Sequence, residues 1–419
     1  LHLIINQKQN TMRRFTALLL GICLAATTAF GGGYQVSLHS MRNIGMGLIG
    51  TSLTYDASSL FYNPGAAAFV QDRFSISGGV SLLMARTTFQ PKDVMGQYNI
   101  ESIMNTPLYF YFAFKPFDDL SIGIAVNTPY GNKLSWGEEW QGRYLIQDLA
   151  FKAITVQPSF SYKIKDVVSF GMGLVLAFGN VELNKALPLE GQNGVDGKVN
   201  IKGNTYNVGF NGGILVRPVK GLNIGVDYRS KINMKVDEAD ATFTVPESMK
   251  TNFPDQKVAT SLPLPANLDF GISYEFKEKF LIGINLCYVF WGAYDTLIFN
   301  FKTKTPALDK SYAPAMYENK LIPRIGAQYK INDIVTVRLG GYYDPSPVPD
   351  GFLNPQTPSM NQIGLTAGLS VFPIKGLSID AAFLYVMGLE REGTYSPENF
   401  SGTYKTNVYV PGIGLSYNF

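Results

Sequence analysis

Along most of this chain the side chains change character at every residue, and no other feature restricts its fold as much. In LSIGIAVN (120–127), Leu120, Ile122, Ile124 and Val126 fall on one parity, and Ser121, Gly123, Ala125 and Asn127 on the other. LNIGVDYR (222–229), VTVRLGGY (335–342) and LSIDAAFLY (377–385) repeat the scheme, with Asp227, Arg229, Arg338 and Asp380 on the polar parity. The closing PGIGLSYNF sets Ile413, Leu415, Tyr417 and Phe419 against Gly414, Ser416 and Asn418. A period of two is that of an extended strand with two unlike faces. Water-soluble β-sandwiches contain such strands too.

The connections separate the two cases. About fourteen strands start near Phe74, Leu108, Leu120, Phe151, Val167, Thr205, Leu222, Pro265, Phe280, Leu321, Ile334, Asn361, Leu377 and Tyr404. Short turns such as KPFDDL (115–120), KIKDV (163–167), RPVKGL (217–222), FKEKF (276–280), KINDI (330–334) and FPIKGL (372–377) alternate with long Pro-, Asn- and Asp-rich stretches at 85–106, 184–204, 237–264 and 301–319. Every second strand end therefore lies on the same side. Charged residues make up 16% of the chain, below the roughly 25% of a soluble protein. In a bilayer a sheet has to close on itself, giving an even-stranded antiparallel barrel with short periplasmic turns and long outer loops. The expected fold is all-β, a transmembrane antiparallel barrel of about fourteen strands with an N-terminal plug. The expected location is the outer membrane of a Gram-negative bacterium, crossed many times. Tyr288, Trp291 and Tyr417 near strand ends read as interface aromatics.

Met12 to Phe30 carries two arginines, an apolar run and small residues, the layout of a secretory signal cleaved after Ala29. Residues 1–11 read as an upstream extension, and Ile22 before Cys23 argues against lipidation. The domains expected are 1–29 extension and signal, 30–70 plug, and 71–419 barrel. Without the signal, Cys287 is the one cysteine and His39 the one histidine, so neither a disulfide nor a multi-histidine metal site is expected. A lipid hydrolase would need a nucleophile beside a base, with His39 its sole histidine. No catalytic residues, metal, cofactor or nucleic-acid partner are assigned; the net charge of +3 is small and the basic residues are dispersed.

Residues 30–70 do not alternate. Glycines at 31, 32, 33, 45, 47 and 50 and the run Ala66, Ala67 and Ala68 allow close backbone packing. The segment reads as a plug inside a lumen too wide for side chains to fill, or else as a periplasmic tail.

Several motifs in order are similar to those of the FadL family of outer-membrane transporters. They are GGGYQ at the mature start, FYNPGAAAF (61–69), TPYG followed by Trp140, Gln141, Gly142 and Arg143, VDYRSKI (226–232), LPANLDFGISYEF (264–276), FWGAYDTL (290–297) and DPSPVPD (344–350). The resemblance covers the mature chain. It implies a hatch in the lumen, uptake of long-chain fatty acids or other hydrophobic compounds such as aromatic hydrocarbons, and passive release sideways through the wall or by a change in the hatch. It also implies contact with outer-membrane lipid and with the barrel-assembly machinery through Phe419. The family's Asn-Pro-Ala reads Asn63, Pro64 and Gly65 here, and its acidic stretch after the Ser-Pro-Val-Pro loop reads TPSMNQ (357–362). A general porin or a structural or adhesive barrel is the alternative.

A fatty-acid tail costs about 0.8 kcal/mol per exposed methylene, so a dry pocket with one cation suits it better than an aqueous channel. The family's luminal basic position resembles Lys320, and Arg324 shares its parity; these are the expected ligand-binding residues, with ordinary surface or ion-pair charges the other reading. Asn63, Pro64 and Gly65 read as a hatch hinge. Pro129 and Gly131 are candidates for the lateral opening, since Pro removes a ladder donor and Gly weakens packing.

Overall fold

The computed structural model describes residues 33–419 except 93, 102–103 and 190–195. The extension and signal expected over 1–29, and residues 30–32 of the expected plug, lie outside the described residues.

Fourteen antiparallel strands form one closed wall. They are β1 (Phe74–Ser81, continued by Leu83–Pro91), β2 (Leu108–Phe117), β3 (Leu120–Ser135), β4 (Asp148–Ile164), β5 (Val168–Leu187), β6 (Gly197–Val216) and β7 (Leu222–Arg229 and Ile232–Thr244). The ring continues with β8 (Gln256–Leu264 and Asn267–Phe276), β9 (Phe280–Val289 and Thr296–Phe301), β10 (Lys310–Pro314 and Lys320–Lys330), β11 (Val335–Asp344), β12 (Gln362–Ile374), β13 (Leu377–Gly388 and Arg391–Tyr395) and β14 (Phe400–Asn418). The seam closes where β14 returns to β1, from Ser75↔Asn418 to Ser81↔Gly412 and again from Met84↔Tyr409 to Pro91↔Gly402.

The turns at one rim are as short as the sequence implies. Lys277 and Glu278 both take left-handed φ, 48° and 57°, which matches the twist of a tight hairpin. Gly376 has φ 83°, and a Cβ there would lie 2.1 Å from the carbonyl oxygen of Asn418. Ile413, Leu415, Tyr417 and Phe419 face outward and are exposed, while Ser416 is buried.

Several strands run well past the expected starts: β6 begins at Gly197, β8 at Gln256 and β10 at Lys310. Parts of 184–204, 237–264 and 301–319 are thus wall rather than loop. The reason is a change of solvent. At membrane depth β6 shows Tyr206, Val208, Phe210 and Ile214 outward, but higher up the same parity carries Lys198, Lys202 and Asn204 while Val199 and Ile201 turn inward and are buried. Alternation persists while its polarity inverts, so a scan for greasy outward faces stops at the membrane boundary. Trp291 is a second correction. It is 1% exposed and points inward, so it is no interface aromatic.

Residues 33–70 lie inside the ring and are almost all buried. They fold as two short helices, α1 (Met41–Gly45) and α2 (Ser59–Tyr62), and a 3-10 turn at Pro64–Phe69.

Candidate functional site

Where the hatch meets the wall, inward residues such as Ser161, Ser169, Gly213, Gly368 and Ser370 are small or polar, and the hatch segment is fastened to that level of the barrel. Gly45 of α1 packs directly on Gly368 of β12, where a Cβ on either would come within 3.0 Å of the other's Cα. Arg42 places its Nε 3.2 Å from both carboxylate oxygens of Asp380 on β13 and its Nη1 3.7 Å from Asp56. Arg229 on β7 donates to Gln157 at 3.0 Å and to the Phe61 carbonyl at 2.7 Å. Arg338 donates to Gln328 and Ser370 at 2.8 and 2.5 Å. Arg229 and Arg338, which the sequence sets on the polar parity, thus serve the hatch or neutral neighbours, and the hatch brings its own acceptors into reach.

A series of cavities runs down from the extracellular end. The outermost, about 260 Å³, is lined by Phe243, Phe253, Phe301 and Leu308, with Lys185 at its edge. It shares Leu183, Ile201 and Phe299 with a second cavity of about 80 Å³ that has no charged residue in its lining. Tyr34 faces that cavity, and its chain neighbour Gln35 faces two deeper pockets of about 40 Å³ each. Arg324 lines both deep pockets, with Leu384, Val386 and Val408 in one and His39, Cys287 and Asp269 in the other. Below the hatch a polar vestibule of about 1300 Å³ opens at the short-turn rim, lined by Arg217, Glu275 and Lys330 among others.

The wall itself departs from regularity at β3. Its ladder with β2 stops at Tyr109↔Asn127, and its ladder with β4 jumps from Asn127↔Thr155 to Tyr130↔Ala153. Residues 127–132 are all buried, so the alternation of exposure ceases there. Two hatch residues complete the kinked backbone: Val36 N donates to Pro129 O at 2.8 Å and Gly131 N donates to Tyr34 O at 3.0 Å.

A plugged fourteen-strand wall is a shape that can be compared directly. The family model described as "Outer membrane protein transport protein (OMPP1/FadL/TodX)" matches residues 22–419. The chain belongs to this family. Its OMPP1/FadL/TodX relatives include the long-chain fatty acid transport protein of Salmonella typhi, 23% identical over 98% of this chain and 100% of that one. Outer membrane protein P1 of Haemophilus influenzae is 20% identical over 97% and 100%. Among solved structures, a Pseudomonas aeruginosa FadL homologue superposes with a TM-score of 0.81 at 18% identity, covering 92% of this chain and 100% of that chain. The P. putida toluene transporter TodX gives 0.71 at 16%, covering 93% and 99%. The OMPP1/FadL/TodX family consists of outer-membrane transport channels, not enzymes, and His39 is packed accordingly, its ring 4.0 Å from that of Phe61.

Within this OMPP1/FadL/TodX barrel the residues singled out from the sequence are scattered. Arg324 is buried, its Nη1 donating to the hatch carbonyl of Leu48 at 3.0 Å and its Nε left without a protein partner. Lys320 sits four residues earlier along β10, with its Nζ 2.8 Å from Glu318, and lines none of the cavities above. Asn63 donates to the carbonyls of Thr51 and Ile214 at 2.8 and 3.0 Å and accepts from Gly65 N at 3.0 Å, while Gly65 O accepts from Ser161 and Ser169 at 2.9 and 2.6 Å. Asn63, Pro64 and Gly65 are thus clamped against β4, β5 and β6. Pro129 and Gly131 lie at the kink. Sequence reasoning assigned no role to Tyr34, Lys185 and Tyr294, although Tyr34 and Tyr294 stand within the motifs GGGYQ and FWGAYDTL; nothing in the sequence marked Lys185.

Proposed function

We propose that this protein takes up hydrophobic molecules, long-chain fatty acids foremost, by binding them in its plugged lumen and releasing them passively toward outer-membrane lipid. One observation carries the reading: a cavity without charged lining lies one hatch residue, Tyr34 to Gln35, from two pockets lined by a buried arginine with an unpartnered Nε. Apolar lining takes the alkyl chain, and a carboxylate head gains a charge-assisted hydrogen bond at Arg324. The names of the relatives support it, since they include long-chain fatty acid transport proteins. Release occurs beside Pro129 and Gly131, where the β2–β3 ladder has ended, or through a shift of the hatch residues Tyr34 to Val36 that are paired there. Oleate uptake by cells carrying the gene, compared with a deletion strain, is the test, together with mass spectrometry of lipids that copurify. Equal uptake in both strains and no bound lipid would end this reading.

A further inference from the structure

The wall has a second break, between β8 and β9. Their ladder runs from Asn267↔Val289 down to the short turn and resumes only at Ala259↔Asn300, apart from Phe290 N donating to Ala266 O at 2.9 Å. Over that interval β9 uses eleven steps where β8 uses eight. The excess is folded inward as a 3-10 turn at Trp291–Ala293. It carries Trp291 and Tyr294 against Tyr34, with ring centroids 5.0 and 5.6 Å apart.

An open sheet edge near a membrane normally strands backbone donors and acceptors. Here the edge is finished chemically. Lys302 N bonds to Lys257 O at 3.0 Å, so within the strand segment Gln256–Leu264 the residues of that parity, Ser261 and Pro263 among them, turn toward β9. Pro263 has no N–H to lose, and neither has Pro265 just beyond the segment. The Pro263 carbonyl accepts from the Tyr34 hydroxyl, and the Pro265 carbonyl accepts from the Tyr130 hydroxyl at 3.1 Å.

Directly behind the break lies the 80 Å³ cavity, to which β8 contributes Leu262 and β9 contributes Tyr294, Leu297 and Phe299. The segments below, Asn267–Phe276 and Phe280–Val289, have ten residues each. At roughly 3.3 Å per residue and about 40° of tilt they cover about 25 Å, the apolar height of such barrels. The break therefore opens at the edge of the outer leaflet, with Ile298 exposed on its rim.

We propose that this break is a second lateral portal, through which an uncharged hydrophobe held in the outer leaflet enters the cavity without passing the extracellular mouth. The inference rests on the uptake function proposed above and adds a route and a ligand class, hydrocarbon or alkyl chain, to match a lining without charge.

The test places one cysteine at the rim, Ile298→Cys, and labels it with a negatively charged methanethiosulfonate in cells taking up toluene. A control, Ile284→Cys, is exposed on β9 far below the break. A charge in the path should cut uptake about tenfold or more, reductant should restore it, and the labelled control should match wild type. Complete labelling of Ile298→Cys with unchanged uptake would overturn the portal, and the reductant-treated protein reports its own folding. A diazirine-bearing decane dissolved in vesicle lipid should also label Leu262 or Leu297 on illumination; labelling confined to other cavities would count against the portal. Wild-type uptake of both toluene and oleate no higher than in the deletion strain would instead sink the uptake function itself.

Discussion

Arg42 in the hatch and Asp380 in the wall form a two-pronged ion pair, both carboxylate oxygens 3.2 Å from the guanidinium Nε. Both residues are buried, and Asp380 accepts in addition from Ser378 at 2.8 Å. The pair joins a plug that has no covalent tie to β13 to the wall around it.

Arg42→Ala leaves Asp380 and Asp56 buried without their cation, a loss of about 3–5 kcal/mol. The hatch, held by fewer backbone bonds than the wall, should loosen first. Planar-bilayer recording should show steady conductance in the variant and near-silence in wild type. A silent variant would mean that the other clamps suffice.

Gly65→Ala recreates the family's more usual Asn-Pro-Ala but does not fit this barrel. The new Cβ would lie 2.6 Å from the carbonyl oxygen of Gly213 on β6, a backbone atom that cannot swing away. Overpacking of this kind costs about 1–3 kcal/mol. Urea denaturation in detergent should register the loss.

Arg324→Ala should weaken oleate binding about tenfold or more, in line with about 1.5–3 kcal/mol for a hydrogen bond to a charged group. Toluene binding should hardly change, since toluene has no carboxylate. Lys320→Ala should alter neither by more than about twofold, because its partner Glu318 is exposed and such pairs contribute little. Titrations of the purified variants with both ligands distinguish these outcomes.

Burial holds the His39 imidazole well below its ordinary pKa, and the nearby charges of Arg229 and Arg324 push the same way. A lowered value means that the folded hatch refuses a proton the unfolded chain accepts. Its contribution is thus constant above about pH 6.5 and falls by about 1.4 kcal/mol per unit as pH drops below that value, until the folded-state pKa is reached. Unfolding curves of wild type and His39→Gln between pH 7.5 and 5 should diverge on the acid side only. Parallel curves would place the proton elsewhere.

Much of the wall was legible because the bilayer writes its demand directly on alternate residues. In LNIGVDYR, Val226 and Tyr228 are exposed on the outer face while Asp227 and Arg229 are buried, as the alternation implies. Above the membrane the same logic misled, since Lys198 and Lys202 face water outside while Val199 and Ile201 are buried inside. The paired candidates Lys320 and Arg324 show the limit of parity. They point the same way, yet four residues along a strand separate a half-buried lysine beside the exposed Glu318 from a buried arginine under Leu48.

The sequence by itself determined the solvent on each side of the strands at membrane depth, the approximate number of crossings, the alternation of short turns with long connections and the presence of a non-alternating segment ahead of them. Those are local properties, set by the residue and its neighbours two positions away. Only the tertiary structure decided that Arg42 meets Asp380, that Trp291 turns inward, and that Pro263 and Pro265 line a free edge beside Tyr34. Such contacts join residues tens to hundreds of positions apart, and they arise from register and closure of the ring, which no short window of sequence encodes.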